Sequence, residues 1–421
     1  MTKERLTDIL IFVSVFISSI TFFTSPFEGY LHYVIFLVYL PFFIQRFGIP
    51  TSPFKLLFVP LVVGIFEIMM GNDTAPLFSK IFLGVLVSTL FYYYVIQYYK
   101  LDTEKIFKLY LRGAVICAYI GIVQFISFRL HFSPGYNFSW LFNKWGVVQG
   151  GFGIRINSVF SEASQFAVVI SPACFVAIYN LVFRKELYLT RIQSYVMLIA
   201  LVLTTSSTGF MGLFVIAFLL TLNYGRLGNF FLGAFLAVIL GMVLYSTIPD
   251  FKTRVDTSIG LWSEGNFSLE NVNSSSFVLY NNYHIAMENF KHNFLTGTGL
   301  GSHPVAFEKY SLTKENGILD IQFNMADANS LLLRLISETG LIGVAFFYLF
   351  ITRLYVRRNE YYSENNLWII SNAFLVIIVL YLLRQGNYFL NGFPLFMWVY
   401  YFNHSTYLGS LETKAATQPN G

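Results

Sequence analysis

The sequence predicts an all-α fold: a polytopic transmembrane bundle of about twelve helices, with a large external loop forming a small helical cap. Three observations carry the prediction. Apolar runs of roughly 17 to 25 residues recur from end to end, each able to cross a hydrocarbon core of about 30 Å as a helix. Charged residues make up only 12% of the chain, against about 25% in a soluble domain. The period-two alternation of membrane β-barrel strands is absent.

The spans follow in order at 8–24, 30–46, 55–71, 78–98, 106–128, 157–183, 192–206, 208–223, 229–248, 330–354, 366–384 and 389–405. The first follows the basic start "MTKER", as a secretory signal would. No small-residue cleavage site closes it and further spans follow, so it reads as a retained helix. Basic residues concentrate in alternate connections: Arg46 and Lys55; Lys100 and Lys105; Arg184, Lys185 and Arg191; Arg226; and Arg353, Arg357 and Arg358. By the positive-inside rule both termini are expected in the cytoplasm. The same dispersal accounts for the net charge of +5 without a nucleic-acid partner. Cys117 and Cys174 fall inside apolar runs and read as packing residues rather than a disulfide.

Two connections on the opposite face are longer than a membrane turn needs, about 129–156 and about 249–329. The second contains "YNNYHIAMENFKHNFLTGTGLG", an amphipathic helix followed by a Gly-rich turn. Residues 249–329 are therefore expected to form an external loop subdomain on a single integral membrane domain spanning 1–421, and the polar tail 410–421 to be disordered. "GTGLG", Gly297 to Gly301, lacks the preceding strand and the Lys-Ser/Thr of a phosphate loop, and reads as a turn. No His or Cys group has metal-ligand spacing, and no cofactor is expected.

A charge at the centre of a span costs about 2.5–3.5 kcal/mol on insertion scales, so such groups face a protein interior and often mark a site. Glu67, Arg112, Glu162, Arg334, Glu338 and Arg384 lie within or at the ends of spans. Arg112, near a cytoplasmic end, reads as a snorkelling residue, while Glu67 is open between packing and function. Arg155, Glu162, Arg334, Glu338 and Arg384 are expected on three helices near the external face, with Lys144, Arg254, Lys291, His284 and His303 in the loops that cover them. Basic groups outnumber acidic ones there, and the guanidinium fork matches phosphate oxygens. An anionic ligand headgroup is the expectation; a set of interhelical salt bridges is the alternative. Trp140, Trp145 and Trp262 either stack on sugar faces or anchor the chain at the interface.

Four stretches, in order, carry a resemblance to a known family. "RINSVFSEASQFA" resembles the Arg-x-x-Ser-x-Phe-x-Glu-Pro-Ser signature of the O-antigen ligase and polymerase (Wzy-like) superfamily, with Ala163 for the usual proline. "LTTSSTGFMGL" is similar to its Leu-Thr-x-Ser-Arg-Thr/Gly segment, with Ser207 where arginine is common. "ENFKHNFLTGTGLGS" resembles its Gly-rich loop, with Phe294 for proline, and "NSLLLRLISETGLIGV" resembles its His-Asn-x-x-Leu…Glu-x-Gly-Leu-Ile-Gly helix. Aligning Glu338 and Gly340 on that helix puts Asn329 where ligases carry a catalytic histidine, which tilts the reading toward a polymerase. The arginine that often precedes the loop helix is also missing, Leu279 lying near its place. Arg254 begins an Arg-x10-Gly string, ending at Gly265, of the kind found in polymerase loops.

The resemblance implies an integral membrane glycosyltransferase, a polysaccharide polymerase, acting on polyprenyl-pyrophosphate-linked glycans, both donor and acceptor, at the external face of the inner membrane. The lipid bilayer is its setting, and a chain-length regulator and a flippase are implied partners. Arg155, Glu162 and Arg384 are the expected catalytic residues; Arg254, Arg334, His303, Asp327, Asn329 and Lys144 are expected to bind substrate. Glu162, Asp327, His303 and His284 are candidate bases, in that order, with Glu162 equally able to orient Arg155. Ligase-type transfer to another acceptor is the first alternative. A lipid-linked sugar transporter is the second, opposed by the long external loop, the one-sided charge and the lack of paired broken helices.

Overall fold

The computed structural model describes residues 3–23, 28–150, 152–224, 239, 241–243, 245–247, 249–264, 274–315, 324–359 and 366–417. Helices α1 (Lys3–Phe16), α2 (Leu31–Phe47), α3 (Thr51–Met69), α4 (Ala75–Tyr98) and α5 (Thr103–Arg129) come first. A single turn, α6 (Ser133–Tyr136), and an antiparallel hairpin of β1 (Val148–Gly150) and β2 (Gly153–Arg155) follow. Next are α7 (Ala163–Phe183), α8 (Arg191–Leu203) and α9 (Ser207–Tyr224). Helices α10 (Pro249–Glu264), α11 (Ser274–His292), α12 (His303–Tyr310) and α13 (Leu312–Glu315) occupy the long connection. The chain closes with α14 (Leu331–Arg353), α15 (Leu367–Arg384), a 3-10 turn (Leu390–Gly392) and α16 (Phe393–Thr417).

The architecture is an all-α polytopic bundle. Seven described helices are long and apolar enough to cross a membrane: α3, α4, α5, α7, α9, α14 and α15; α2 and α8 are shorter apolar helices. Every expected span overlaps a described helix except 229–248, most of which lies outside the described residues. Helices α7 and α15 form the centre, apolar on all sides as a helix surrounded by other helices must be. Phe107, Tyr110, Phe374 and Phe396 interlock there, with Phe374 edge-on to Phe107 at 5.3 Å and to Tyr110 at 5.6 Å. Polar groups in this region bond to nearby backbone: Ser171 Oγ donates to the Ala167 carbonyl over 2.6 Å, and the Tyr110 hydroxyl donates to that of Val169.

Three boundaries depart from the hydropathy expectation, the first two for a polar cause. Helix α1 stops at Phe16 rather than near 24, because Ser18 and Ser19 turn inward to bond Gln165 Oε1 and the Val159 carbonyl, both at 2.7 Å. The sixth span begins at Ala163, not 157, and Arg155 stands on a strand rather than a helix. Gln124 holds the intervening turn, its Oε1 accepting from Asn157 N at 3.2 Å and Ser158 N at 3.0 Å. At the other end of the chain α16 runs to Thr417, into the stretch expected to be disordered.

Helix α14 is broken at Gly340, whose φ of 57° and ψ of −153° no residue with a side chain adopts without strain. A break in a membrane helix frees backbone groups that lipid cannot satisfy. Here the Gly-rich loop does so: Gly299 N donates to Glu338 O at 2.8 Å, while Leu341 N and Ile342 N donate to Phe294 O and Leu295 O at 2.9 and 3.1 Å. "GTGLG" is thus a turn that packs into a helix break and leads to α12.

Candidate functional site

A cavity of about 1160 Å³ opens where α2, α4, α7, α9, α14 and α15 meet the hairpin and the turn before α14. Arg155, Arg334 and Arg384 reach it from three elements far apart in sequence. Lys144, Glu162, Asp327 and Asn329 line it as well.

Each arginine is held by a different device. Arg155 ends β2, and its Nε donates to the Thr204 carbonyl at the end of α8 over 3.2 Å. Val148 lies opposite it in the hairpin and Gly150 two residues further on; a Cβ at Gly150 would collide with the Arg155 stem, so glycine lets the side chain cross the strand pair. Arg384, the last residue of α15, donates from Nη2 to Ser275 Oγ at 2.5 Å and so ties the bundle to the start of α11.

Arg334 is the most enclosed. Its Nε donates to Glu338 Oε1 over 2.8 Å, one turn along α14, and its Nη1 donates to Gly386 O over 3.0 Å. The Tyr388 ring lies under the guanidinium at 4.4 Å, and its hydroxyl donates to Glu338 Oε2 at 2.8 Å. Arg334 Nη2 is buried and has no partner among the described residues. One charge-assisted donor of a cavity-lining arginine is therefore unused among the described residues.

The carboxylates differ in how freely they could accept a ligand's proton or hydrogen bond. Glu162 is the N-cap residue of α7 and accepts from Ser164 Oγ at 2.9 Å. Asp327 Oδ1 accepts from Asn329 N at 3.1 Å and Asn324 Nδ2 at 2.9 Å. Glu28 forms an ion pair with Lys144 and accepts from the Tyr30 hydroxyl. Burial raises the Glu28 carboxyl, but the hydrogen bonds from Lys144 and Tyr30 and the charges of Lys144 and Lys80 outweigh it and hold the group below the usual range.

Three residues expected near the site, His303, His284 and Lys291, stand apart from it. His303 is fully buried behind Glu338, its Nε2 bonded to Asn282 Oδ1 at 2.9 Å, and it does not line the cavity. Burial, followed by the Arg334 charge, pushes its pKa down to about 3, so it is neutral. His284 and Lys291 do not line the cavity either; Lys291 pairs with Glu288 at 2.6 Å. The Arg254 side chain lies outside the described residues, although its backbone belongs to α10. Trp145 is buried, with Nε1 donating to Ser158 O at 2.9 Å, whereas Trp140 and Trp262 are exposed.

Lys80, Glu28 and Tyr30 also line the cavity and were not anticipated from sequence. Lys80 had a signal, being a lysine inside the apolar run that became α4. Glu28 and Tyr30 had none, since the short connection between the first two spans carries no motif. Ser206, Ser207 and Thr208 bring the start of α9 to the cavity wall, where the helix dipole favours an anion. Among the described residues no group of three or more His, Cys, Asp or Glu is placed to hold a metal ion.

Residues 194–348 match the family model described as O-antigen ligase. No curated protein matches the chain. The matched segment runs from α8 to α14 and includes Asp327, Asn329, Arg334, Glu338 and the Gly-rich loop; Arg155 and Arg384 lie outside it. The family supports glycan transfer of the ligase or polymerase type by a membrane glycosyltransferase-like enzyme acting on lipid-linked glycans. Over that segment this multi-pass membrane chain is similar to the O-antigen ligase family, in keeping with the ligase and polymerase superfamily that its motifs resemble.

Proposed function

We propose that the chain is a polysaccharide polymerase that joins polyprenyl-pyrophosphate-linked repeat units at the external face of a bacterial inner membrane, for O-antigen, capsule or exopolysaccharide. The observation that carries the reading is the convergence of Arg155, Arg334 and Arg384 on one cavity, with Arg334 Nη2 unused. In this reading the hairpin and helices α10 to α13 face the external side and both termini the cytoplasm.

The chemistry follows from where charge develops. As the bond between the donor sugar's C1 and the pyrophosphate lengthens, C1 becomes oxocarbenium-like and negative charge grows on the departing oxygen. Guanidinium groups fixed in a poorly hydrated cavity stabilise that charge more in the transition state than in the ground state. Arg155 and Arg384 hold the pyrophosphate, Arg334 Nη2 adds a donor, and the start of α9 contributes its backbone dipole. These groups do for the leaving group what a metal ion does in soluble glycosyltransferases. Lys80 and the Lys144–Glu28 ion pair line the same cavity, and the volume of about 1160 Å³ leaves room for the ends of two glycans. A flippase would supply the donor, and a chain-length regulator would act on the product.

Asn329, at the position of the ligase histidine, favours a polymerase over a ligase; its backbone N–H serves Asp327. Ligase-type transfer is the second reading, favoured by the description of the matching family. Incubating the purified chain with a polyprenyl-pyrophosphate-linked oligosaccharide separates the readings. A ladder of lengthened glycans is expected; transfer of one unit to a separate acceptor indicates a ligase, and transport across a vesicle without change of glycan length indicates a transporter.

A further inference from the structure

The turn before α14 runs against ordinary backbone preference. Asn324, Ala328 and Asn329 have φ of 51°, 55° and 53°. The left-handed region is tolerable for asparagine, but a buried alanine there, next to a second such residue, is held by its surroundings rather than by its own preference. Such conformations persist where neighbouring structure over-determines them, and they cluster at functional sites.

What this turn achieves is the placement of one carboxylate. It brings Asn329 N back onto Asp327 Oδ1, which also accepts from Asn324 Nδ2. On one side Ser330 Oγ donates to Leu382 O at 2.7 Å, fixing the turn to α15. On the other, Gly386 lies so close that a Cβ built on it would run into the Asp327 carbonyl oxygen. The carbonyl of the same Gly386 accepts from Arg334 Nη1. Gly386 therefore locks Asp327 to a cavity-lining arginine that has a donor to spare among the described residues. Both fixed bonds end on Oδ1, while Oδ2 makes none among the described residues.

Of the other carboxylates near the cavity, Glu28 and Glu338 are more committed, while Glu162, exposed and held by a single bond, is less firmly placed than Asp327. Glu28 is bound by Lys144 and Tyr30, Glu338 is sealed between Arg334 and Tyr388, and Glu162 Oε2 accepts from Ser164.

We propose that Asp327 is the general base that deprotonates the acceptor hydroxyl, a role that rests on the glycosyl-transfer reading above. The acceptor oxygen forms its bond to C1 of the donor sugar as its proton passes to Asp327 Oδ2. The C1–oxygen bond to pyrophosphate breaks, its electron pair leaving with the polyprenyl pyrophosphate held by the arginines. Asp327 then returns the proton to water.

The test uses the purified full chain and, as donor, the polyprenyl-pyrophosphate-linked glycan extracted from cells lacking it. Wild-type protein, Asp327→Asn and Asp327→Glu are each given either a second lipid-linked glycan or sodium azide as acceptor. Azide attacks C1 without a proton to lose, so it needs no base. Asp327→Asn is expected to slow chain extension about 10²- to 10⁴-fold while making glycosyl azide at the wild-type rate, with Asp327→Glu recovering part of the extension. Should wild-type protein extend chains but refuse azide, thermal stabilisation by the donor decides: its retention in an extension-dead Asp327→Asn supports the base role, and its loss overturns it. Full extension by Asp327→Asn, or loss of both reactions, also overturns the proposal. Wild-type protein that yields neither a ladder nor glycosyl azide overturns the glycosyl-transfer reading itself, and the base with it.

Discussion

Arg334 and Glu338 face each other one helical turn apart, Nε to Oε1 at 2.8 Å, with the two side chains only 2% and 0% exposed. Removing one partner would strand a charge in the bundle, at a cost of about 3–5 kcal/mol, whereas replacing both with apolar groups of similar volume is often neutral. Glu338→Leu should therefore lower the thermal midpoint of the purified protein sharply, and Arg334→Met with Glu338→Leu should recover most of it. The double variant should still extend no chains, because the spare Nη2 donor is gone. Normal extension by a stable double variant would make the pair purely structural.

Arg155 and Arg384 differ from Arg334 in being only half-buried, each tied by a neutral acceptor. Their replacement should leave folding intact. Arg155→Ala and Arg384→Ala are each expected to reduce polymer formation about 10²- to 10³-fold, the usual effect of deleting one donor to a developing anion. Lysine at either position should restore only part of the activity, since an ammonium cannot offer a bidentate fork. Polysaccharide gels, normalised to the amount of protein in the membrane, read both effects, and undiminished polymer from Arg155→Ala would remove it from the mechanism.

These residues also show what sequence can disclose. Arg334, Glu338 and Arg384 were legible as site candidates because charge in an apolar run must face protein, and a shared interior serves both of their helices. The same rule applied to Lys80, which lies near the start of its helix and resembles a snorkelling residue until α4 is seen against the cavity. His303 misled in the opposite direction. A histidine beside a Gly-rich loop suggests a ligand-facing base, yet packing of that loop into the α14 break carries its ring behind Glu338. Hydropathy likewise placed the spans but not the breaks, since Ser18, Ser19 and Gln124 act through partners 12 to 147 residues away.

The helix break itself is open to test. Gly340 has a backbone conformation reserved for glycine, and a Cβ there would lie 2.6 Å from Gly297 N and 2.7 Å from Leu295 O. Gly340→Ala must strain the backbone and push the Gly-rich loop out of the break, at a cost of about 1–3 kcal/mol for the backbone alone. A lower thermal midpoint is expected, with loss of extension as Glu338 and the turn above it shift. A variant as stable as wild type would mean that the loop does not need the break. Gly409, with nothing within 4 Å of a Cβ, is the control: Gly409→Ala should be silent.

Asp73, in the connection between α3 and α4, links stability to pH. Its Oδ2 is buried without a partner among the described residues, and Glu67 and Glu338 are acidic groups nearby. Burial first, and then the charges of Glu338 and Glu67, push the carboxyl from 3.8 up to about 7, against the opposing hydrogen bond from Thr74 N. The folded protein therefore binds this proton more tightly than the unfolded chain does. The contribution to stability is complete below about pH 4 and is lost as pH rises through about 7. Asp73→Asn removes the titration while leaving an amide of the same shape. In detergent, the thermal midpoint of wild-type protein relative to Asp73→Asn should fall between pH 5 and pH 8, the variant becoming the more stable of the two at pH 8. A difference that stays constant across that interval would mean that Asp73 is ionised throughout, with water reaching Oδ2.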